Sequence, residues 1–272
     1  MGACSQEPAA SGGFDAGFDE HVVVWPADGG ATTLARAAAL ARRLGLRLAG
    51  ADDADGGVRL VVTARRLELR LNRPDAPGPV YVDFVGGPLG YSRRVNRLGL
   101  LFRAVGWHTG ARVLVDATAG LAHDAFRLAY GGFEVVAIER SPVLGALIQD
   151  GIDRASAVEA LRDVTDRRLR LVVGDARDVL PRLASATGPD VVYLDPMFPP
   201  KRKSALVKKD MRVLRAVVGD DDDAGELFAV ARRVARRRVV VKRMRHAPPL
   251  APDPTRVIKG KTTRYDVYEV GG

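Results

Sequence analysis

From residue 111 onward the 272-residue chain reads as an α/β domain with a doubly wound, mostly parallel sheet, preceded by a small α+β unit. Three observations predict this. Short apolar runs alternate with segments of helical spacing, the rhythm of strands joined by crossover helices. Gly, Pro, Asp and Asn punctuate the joins. The runs beyond residue 112 end on acids, at the strand ends where such sheets bind ligands.

Taken in order, residues 1–19 have neither the basic start nor the apolar stretch of a signal peptide and are expected to be a disordered tail. Residues 20–110 form the small N-terminal α+β domain and a connector. "HVVVWPA" is a strand, "TTLARAAALARRLG" a helix stopped by Gly45, and "RLAG", "VRLVVTARRLELRLN" and "VYVDFVGG" are further strands. "GYSRRVNRLGLLFRAVGW" is basic, with a helical second half. Residues 111–272 then alternate: strand "RVLVD", helix "AHDAFRLAYGG", strand "EVVAIE", helix "SPVLGALIQDGIDRAS", strand "RLVVGDA", a short helix, and strand "DVVYLD". After a basic loop come helix "AGELFAVARRVARR", strand "RVVVKRM", and a final pair in "TRVIKG" and "RYDVYEV". The acidic run from Asp220 to Asp223 is expected to sit at a helix start and stabilise its N-terminus.

Composition narrows the function. A net charge of +9 points to a polyanionic partner, most often nucleic acid. The single cysteine, Cys4, excludes a disulfide framework or a cysteine zinc site within the chain and is compatible with a reducing cytoplasm. No apolar run reaches the ~18 residues of a membrane span, and the histidines show no metal-ligand spacing. All seven lysines lie beyond residue 200, and Lys201, Lys203, Lys208 and Lys209 follow one motif directly.

That motif is "LDPMFP", and it closes a series. Strand-end acids recur at Asp116, Glu139, Asp175 and Asp195. "DATAGLAHDAF" places small residues and Gly120 in a tight turn without the G-x-G-x-x-G fingerprint, and with Asp116 before it, a poor site for pyrophosphate. Glu139, some twenty residues on, has the spacing of a carboxylate that grips ribose hydroxyls. Together these favour a nucleoside ligand without phosphates, S-adenosylmethionine. Asp195-Pro196-Met197-Phe198 is similar to the [DN]-P-P-[YFW] signature of methyltransferases acting on exocyclic amines. There the carboxylate and a backbone carbonyl accept the amine N–H bonds while an aromatic such as Phe198 stacks on a flipped base. The four lysines are expected to hold phosphates.

"VDATAG", "HDAF", "ERSP", "VVYLDPMFP", "KSALVKKDMRV", "VVVKR" and "APPL" closely resemble the RsmJ family, bacterial 16S rRNA guanine-N2 methyltransferases with a Rossmann-like methyltransferase domain. The resemblance covers residues 90–270 well and the N-terminal unit more loosely. It implies cofactor contacts at His123, Asp124, Glu139, Arg140, Asp175, Ala176 and Asp195. It also implies a target guanine near the 3′ end of 16S rRNA, free or within the small ribosomal subunit. Where the family usually has Gly-Leu-Gly-Arg-Asp, this chain has Gly120-Leu121-Ala122-His123-Asp124. Ala122 tolerates positive φ poorly, so the turn is expected to suit a Cβ, and the contact made by His123 is expected to vary with pH. Two other readings are a non-catalytic RNA-binding assembly protein and a methyltransferase for another planar amine, adenine N6 or glutamine.

Overall fold

In the computed structural model, residues 21–50, 57–86, 96–184, 188–197, 209–218 and 222–271 are described. The expected N-terminal tail lies outside them, as do Phe198, Lys201, Lys203 and Lys208.

Alternation of apolar residues builds the first sheet. It comprises β1 (Val22–Pro26), β2 (Arg47–Leu48), β3 (Val58–Val62) and β4 (Leu67–Leu71), in the order β2-β1-β3-β4. β2 and β3 run parallel to β1, and β4 is antiparallel to β3. Helix α1 (Ala31–Leu44) connects β1 to β2 and ends where Gly45 turns left-handed at φ 67°. The segment "VYVDFVGG", expected as a strand, contributes only one bridge, Val80 to Leu69. Its Val82 and Phe84 serve packing instead, since both are buried in the core.

The second sheet has seven strands, ordered β10-β11-β9-β8-β5-β6-β7. These are β5 (Val113–Asp116), β6 (Glu134–Glu139), β7 (Leu169–Val173), β8 (Val191–Leu194), β9 (Arg238–Met244), β10 (Arg256–Lys259) and β11 (Thr263–Glu269). β5 to β9 are mutually parallel; only β11 is reversed, against both β9 and β10. All four residues of β8 are buried, as a central strand covered on both faces requires. Between strands lie α2 (Leu100–Ala104), α3 (His123–Tyr130), α4 (Pro142–Ser156), α5 (Ala176–Leu183), α6 (Lys209–Val218) and α7 (Ala224–Val234).

Two apolar clusters clad the second sheet. One, with α5 and α7, covers one face. The other, with α3, α4 and α6, runs on without a break into the inner face of the first sheet. Phe84 stacks on Phe126 of α3 at 4.2 Å, and Gly151 lets α4 approach Val82. The chain winds outward from β5 through β6 and β7, then crosses back to β8. Strand order therefore reverses between β5 and β8, and the crevice at their carboxyl ends is the expected ligand site.

Gly151 tests this junction. A Cβ there would lie 2.4 Å from Val82 Cγ1, a short, buried, branched side chain that cannot swing away. So short an approach puts overpacking at roughly 2–3 kcal/mol, the upper part of its usual range, offset in part by the ~1 kcal/mol helix preference of Ala over Gly. Gly151→Ala should therefore lower the unfolding free energy by about 1–2 kcal/mol, measured by urea denaturation. A neutral or stabilising result would show that the two sheets are not locked here.

Candidate active site

The crevice opens into a cavity of about 590 Å³, within the range of small-ligand sites. Every described residue expected at the cofactor site or in the catalytic motif lines it: Asp116, Gly120, His123, Asp124, Glu139, Arg140, Asp175, Ala176, Asp195 and Pro196. Lys209 is the first residue of α6.

Each acid owes its place to a strand end. Asp116 closes β5 and is 2% exposed, its Oδ1 accepting from the Thr118 N–H at 3.2 Å. Burial, with Asp124 nearby, pushes its carboxyl well above the ordinary carboxylate range. Glu139 closes β6, and both oxygens are anchored by backbone N–H groups, from Gly120 at 2.8 Å and Ser141 at 2.9 Å. That bond ties the turn after β5 to the end of β6. Asp175 caps α5 and accepts from the Arg177 backbone at 2.8 Å. The Arg177 guanidinium, at 2.7 Å, holds its carboxyl below the usual range.

The turn from β5 into α3 carries a conformational cost. Gly120 sits at φ 57°, and Ala122 also takes the left-handed conformation, at φ 55°. Its Cβ fits, fully buried, but a left-handed non-glycine residue costs roughly 1–2 kcal/mol. The expected accommodation of a Cβ is thus steric and not conformational. His123 then opens α3 at the cavity wall. The acidic run meets a helix start as expected, with Asp220 and Asp221 outside the described residues. Asp223 occupies the N-cap position of α7, yet its side chain makes no cap bond and pairs with Arg140 at 3.4 Å and Arg177 at 3.3 Å. Two guanidiniums compete successfully for that carboxylate, and they tie α7 to the rim of the cavity.

Sequence reasoning missed the centre of the site. Lys242 of β9 places Nζ 2.6 Å from Asp195 Oδ2 and 2.9 Å from Asp124 Oδ2. Burial works against its charge, but Asp195 and Asp124 outweigh it and hold the ammonium above its ordinary range. For Asp124, burial is likewise outweighed by Lys242 and by the Tyr193 hydroxyl, which donates at 2.8 Å, so its carboxyl is held low. Thr118 Oγ1 accepts from the Asp195 N–H at 2.6 Å, fixing the backbone of the motif. The signal was available: lysine is rare in this chain, and Lys242 follows an apolar strand core.

A family model described as "Putative SAM-dependent methyltransferase" matches residues 39–270. The chain belongs to this methyltransferase family. Its cofactor is S-adenosylmethionine. The methyltransferase is 52% identical over 242 residues to the "Ribosomal RNA small subunit methyltransferase J" of Thioalkalivibrio sulfidiphilus, covering 87% of this chain and 93% of that protein. It is 44% identical to the protein of the same name from Coxiella burnetii, covering 86% and 92%. A crystal structure of a SAM-dependent methyltransferase from Neisseria gonorrhoeae superposes with a TM-score of 0.70 at 34% identity, covering 92% of this methyltransferase and 96% of that chain. Among the described residues, no group of three or more His, Cys, Asp and Glu could hold a metal ion, and no helix is long and apolar enough to cross a membrane.

Replacing Lys242 by Met would remove the ammonium between Asp124 and Asp195 and leave Arg127, 3.6 Å from Asp124, facing that acid from one side. Breaking a buried pair costs ~3–5 kcal/mol, and a 25% exposed ammonium lowers that to roughly 2–4. The pH dependence should invert. In the wild type Asp124 is depressed, so its stabilisation is complete above the ordinary carboxylate range and is lost as pH falls through the depressed value. In Lys242→Met burial would raise that carboxyl, so stability should increase as pH falls through the carboxylate range. Urea-unfolding series in acid and at neutrality should diverge accordingly; parallel pH profiles would exclude Lys242 from the cluster.

Proposed function

We propose that the chain transfers a methyl group from S-adenosylmethionine to the exocyclic N2 of one guanine near the 3′ end of 16S rRNA, in the cytoplasm. One observation carries the reading. The carboxylate of the Asp195-Pro196-Met197 motif stands at the crevice, its Oδ2 accepting from the Lys242 ammonium at 2.6 Å.

The cavity residues fit the cofactor. A carboxylate oxygen accepts two hydrogen bonds, so backbone anchoring does not exhaust Glu139, which is placed to take ribose hydroxyls. Ile138, Ala176 and Leu227 supply an apolar slot for the adenine beside Asp175. Asp116, His123 and Asp124 face the amino-acid end. Asp116, raised and buried, is a carboxyl that a cationic ligand would drive to ionise. When bound, S-adenosylmethionine supplies an electrophilic methyl on a sulfonium.

The chain's own groups then do the positioning. The guanine amine is a weak nucleophile because its lone pair is delocalised into the ring. Asp195 and a carbonyl of the Pro196 segment accept its two N–H bonds and turn the lone pair toward the methyl. The Thr118 and Lys242 anchors keep that acceptor pair in place, so most of the rate comes from orientation. Once alkylated, the nitrogen is acidic, and its proton leaves to Asp195 or to water.

Two measurements test the assignments. Glu139→Ala should weaken cofactor binding by about 1.5–3 kcal/mol in calorimetry, as for loss of a charged hydrogen bond; unchanged affinity in a folded variant would remove Glu139 from the ribose site. Asp195→Asn retains one acceptor oxygen but adds a donor that opposes the amine. Single-turnover methyl transfer at saturating cofactor should slow about a hundredfold. The product, digested to nucleosides, should be N2-methylguanosine. A methylated adenine would overturn the target, and no transfer by wild type to rRNA or subunits would favour a binding protein.

A further inference from the structure

The cavity does not end at Asp195. Lys242, Arg243 and Met244 of β9 all line it, and so does Thr263 of β11. Met244 is the last residue of β9 and pairs with Thr263, so both stand at the carboxyl end of the parallel strands, beside the crevice. Side chains alternate, which puts Met244 on the same face as Lys242, about 7 Å further out along the strand. Met244 is nevertheless 66% exposed. Among the described residues it is the one large exposed hydrophobic that lines the cavity. A polarisable apolar side chain left uncovered next to a cluster of acids suits the flat face of an aromatic ligand.

A cationic turn adjoins this residue. Gly260, Lys261 and Thr262 join β10 to β11, and the Gly260 N–H donates to the Thr263 carbonyl at 2.7 Å. The turn is fixed from β9. The Arg245 N–H donates to the Thr262 carbonyl at 2.9 Å, and its guanidinium donates to the Gly260 carbonyl at 2.6 Å. Leu100 of α2 packs so closely that a Cβ on Gly260 would lie 2.8 Å from its Cδ1. Lys259 and Lys261 flank Gly260, and both are exposed. Neither makes an ion pair or hydrogen bond among the described residues. From Met244 to Thr263 the sequence holds Arg245, Arg256, Lys259 and Lys261 against one acid, Asp253. Ammonium groups carried on a fixed turn meet phosphates with little backbone ordering left to lose.

We propose that the end of β9 and the β10–β11 turn form the rim that receives the target RNA strand, with Met244 against the base held at Asp195 and with Lys259 and Lys261 on the adjoining phosphates. That the partner is RNA rests on the function proposed above; the rigidity of the rim, its charge and its continuity with the cavity do not. These lysines are separate in sequence from Lys201, Lys203, Lys208 and Lys209.

The test uses the full chain, a short mixed-sequence single-stranded RNA and purified small ribosomal subunits. Lys259→Gln/Lys261→Gln should lower the salt slope of short-RNA binding by about 1.4, two contacts at ~0.7 each, and so weaken binding about tenfold at ~0.15 M salt. S-adenosylmethionine affinity should be unchanged. Arg232→Gln/Arg233→Gln removes the same charge from the exposed side of α7 and should leave the slope where it was. Met244→Ala should raise the KM for subunits about fivefold, again with cofactor affinity unchanged. Met244→Leu keeps the apolar contact and should restore the KM. An unchanged slope in the lysine variant, an equal fall in the α7 variant, an unchanged KM in Met244→Ala or a failure of leucine to restore it would overturn the rim. Weaker subunit binding with short-RNA binding intact would overturn it in favour of a ribosomal protein contact. The two proposals fail separately. If wild type yields a different methylated nucleoside while these variants behave as expected, the acceptor assignment falls and the rim stands. If N2-methylguanosine forms and the lysine variant binds RNA normally, the rim falls alone.

Discussion

Acids delivered to one crevice by adjacent parallel strands cannot all stay ionised without a cation among them. β5 brings Asp116, the residue after β8 is Asp195, and α3 adds Asp124. The chain resolves the repulsion in two ways. Lys242 bridges Asp195 and Asp124, and Asp116 is pushed toward its neutral form by burial and by Asp124. The result is a pocket in which one carboxylate is paired with an ammonium while a second carboxyl, Asp116, is held above its ordinary range. A cofactor that carries a sulfonium and an amine suits that balance.

Much of this was legible in the sequence because period and position are local signals. Apolar runs with acids at their ends marked β5 to β8, and the same acids converge on one cavity because parallel strands present their carboxyl ends on one side. What escaped was long-range. Lys242 sits inside "RVVVKRM", where spacing announces only a strand, and its meaning appears when β9 pairs with β8 and carries it beside Asp195. Nothing local in the strand says that the Tyr193 hydroxyl reaches Asp124. "VYVDFVGG" alternates like a strand, but past Val80 its apolar side chains are consumed by α3 and α4, so packing overrode pattern. The acidic run announced a helix start, and Asp223 stands there, but nothing local says that it also pairs with Arg140 and Arg177.

The N-terminal sheet shows the same division of labour at larger scale. Its inner residues merge with the core of the catalytic domain, so it is anchored by apolar contact through α4 and α6 and not by a flexible linker. The wall of the cavity and the inner face of the small sheet share α6, which follows the lysine-rich segment in sequence. Movement of that helix would therefore alter cavity and sheet together.

The choice of cation follows from geometry. Of 42 basic residues only seven are lysine. On β11, Arg264 meets Asp266 with two parallel bonds of 2.7 and 2.9 Å, and Asp266 is fully buried. That fork engages both oxygens of a carboxylate that is itself fully buried, which suits a structural pair. On neighbouring β9 the need is opposite. One compact ammonium must touch one oxygen from each of two carboxylates and leave Asp195 able to accept from a substrate. A guanidinium would engage one acid twice and crowd the crevice with its plane. The lysine at 242 is thus the cation that balances charge between two carboxylates at the end of an interior strand, and the proposed role of Asp195 as acceptor depends on it.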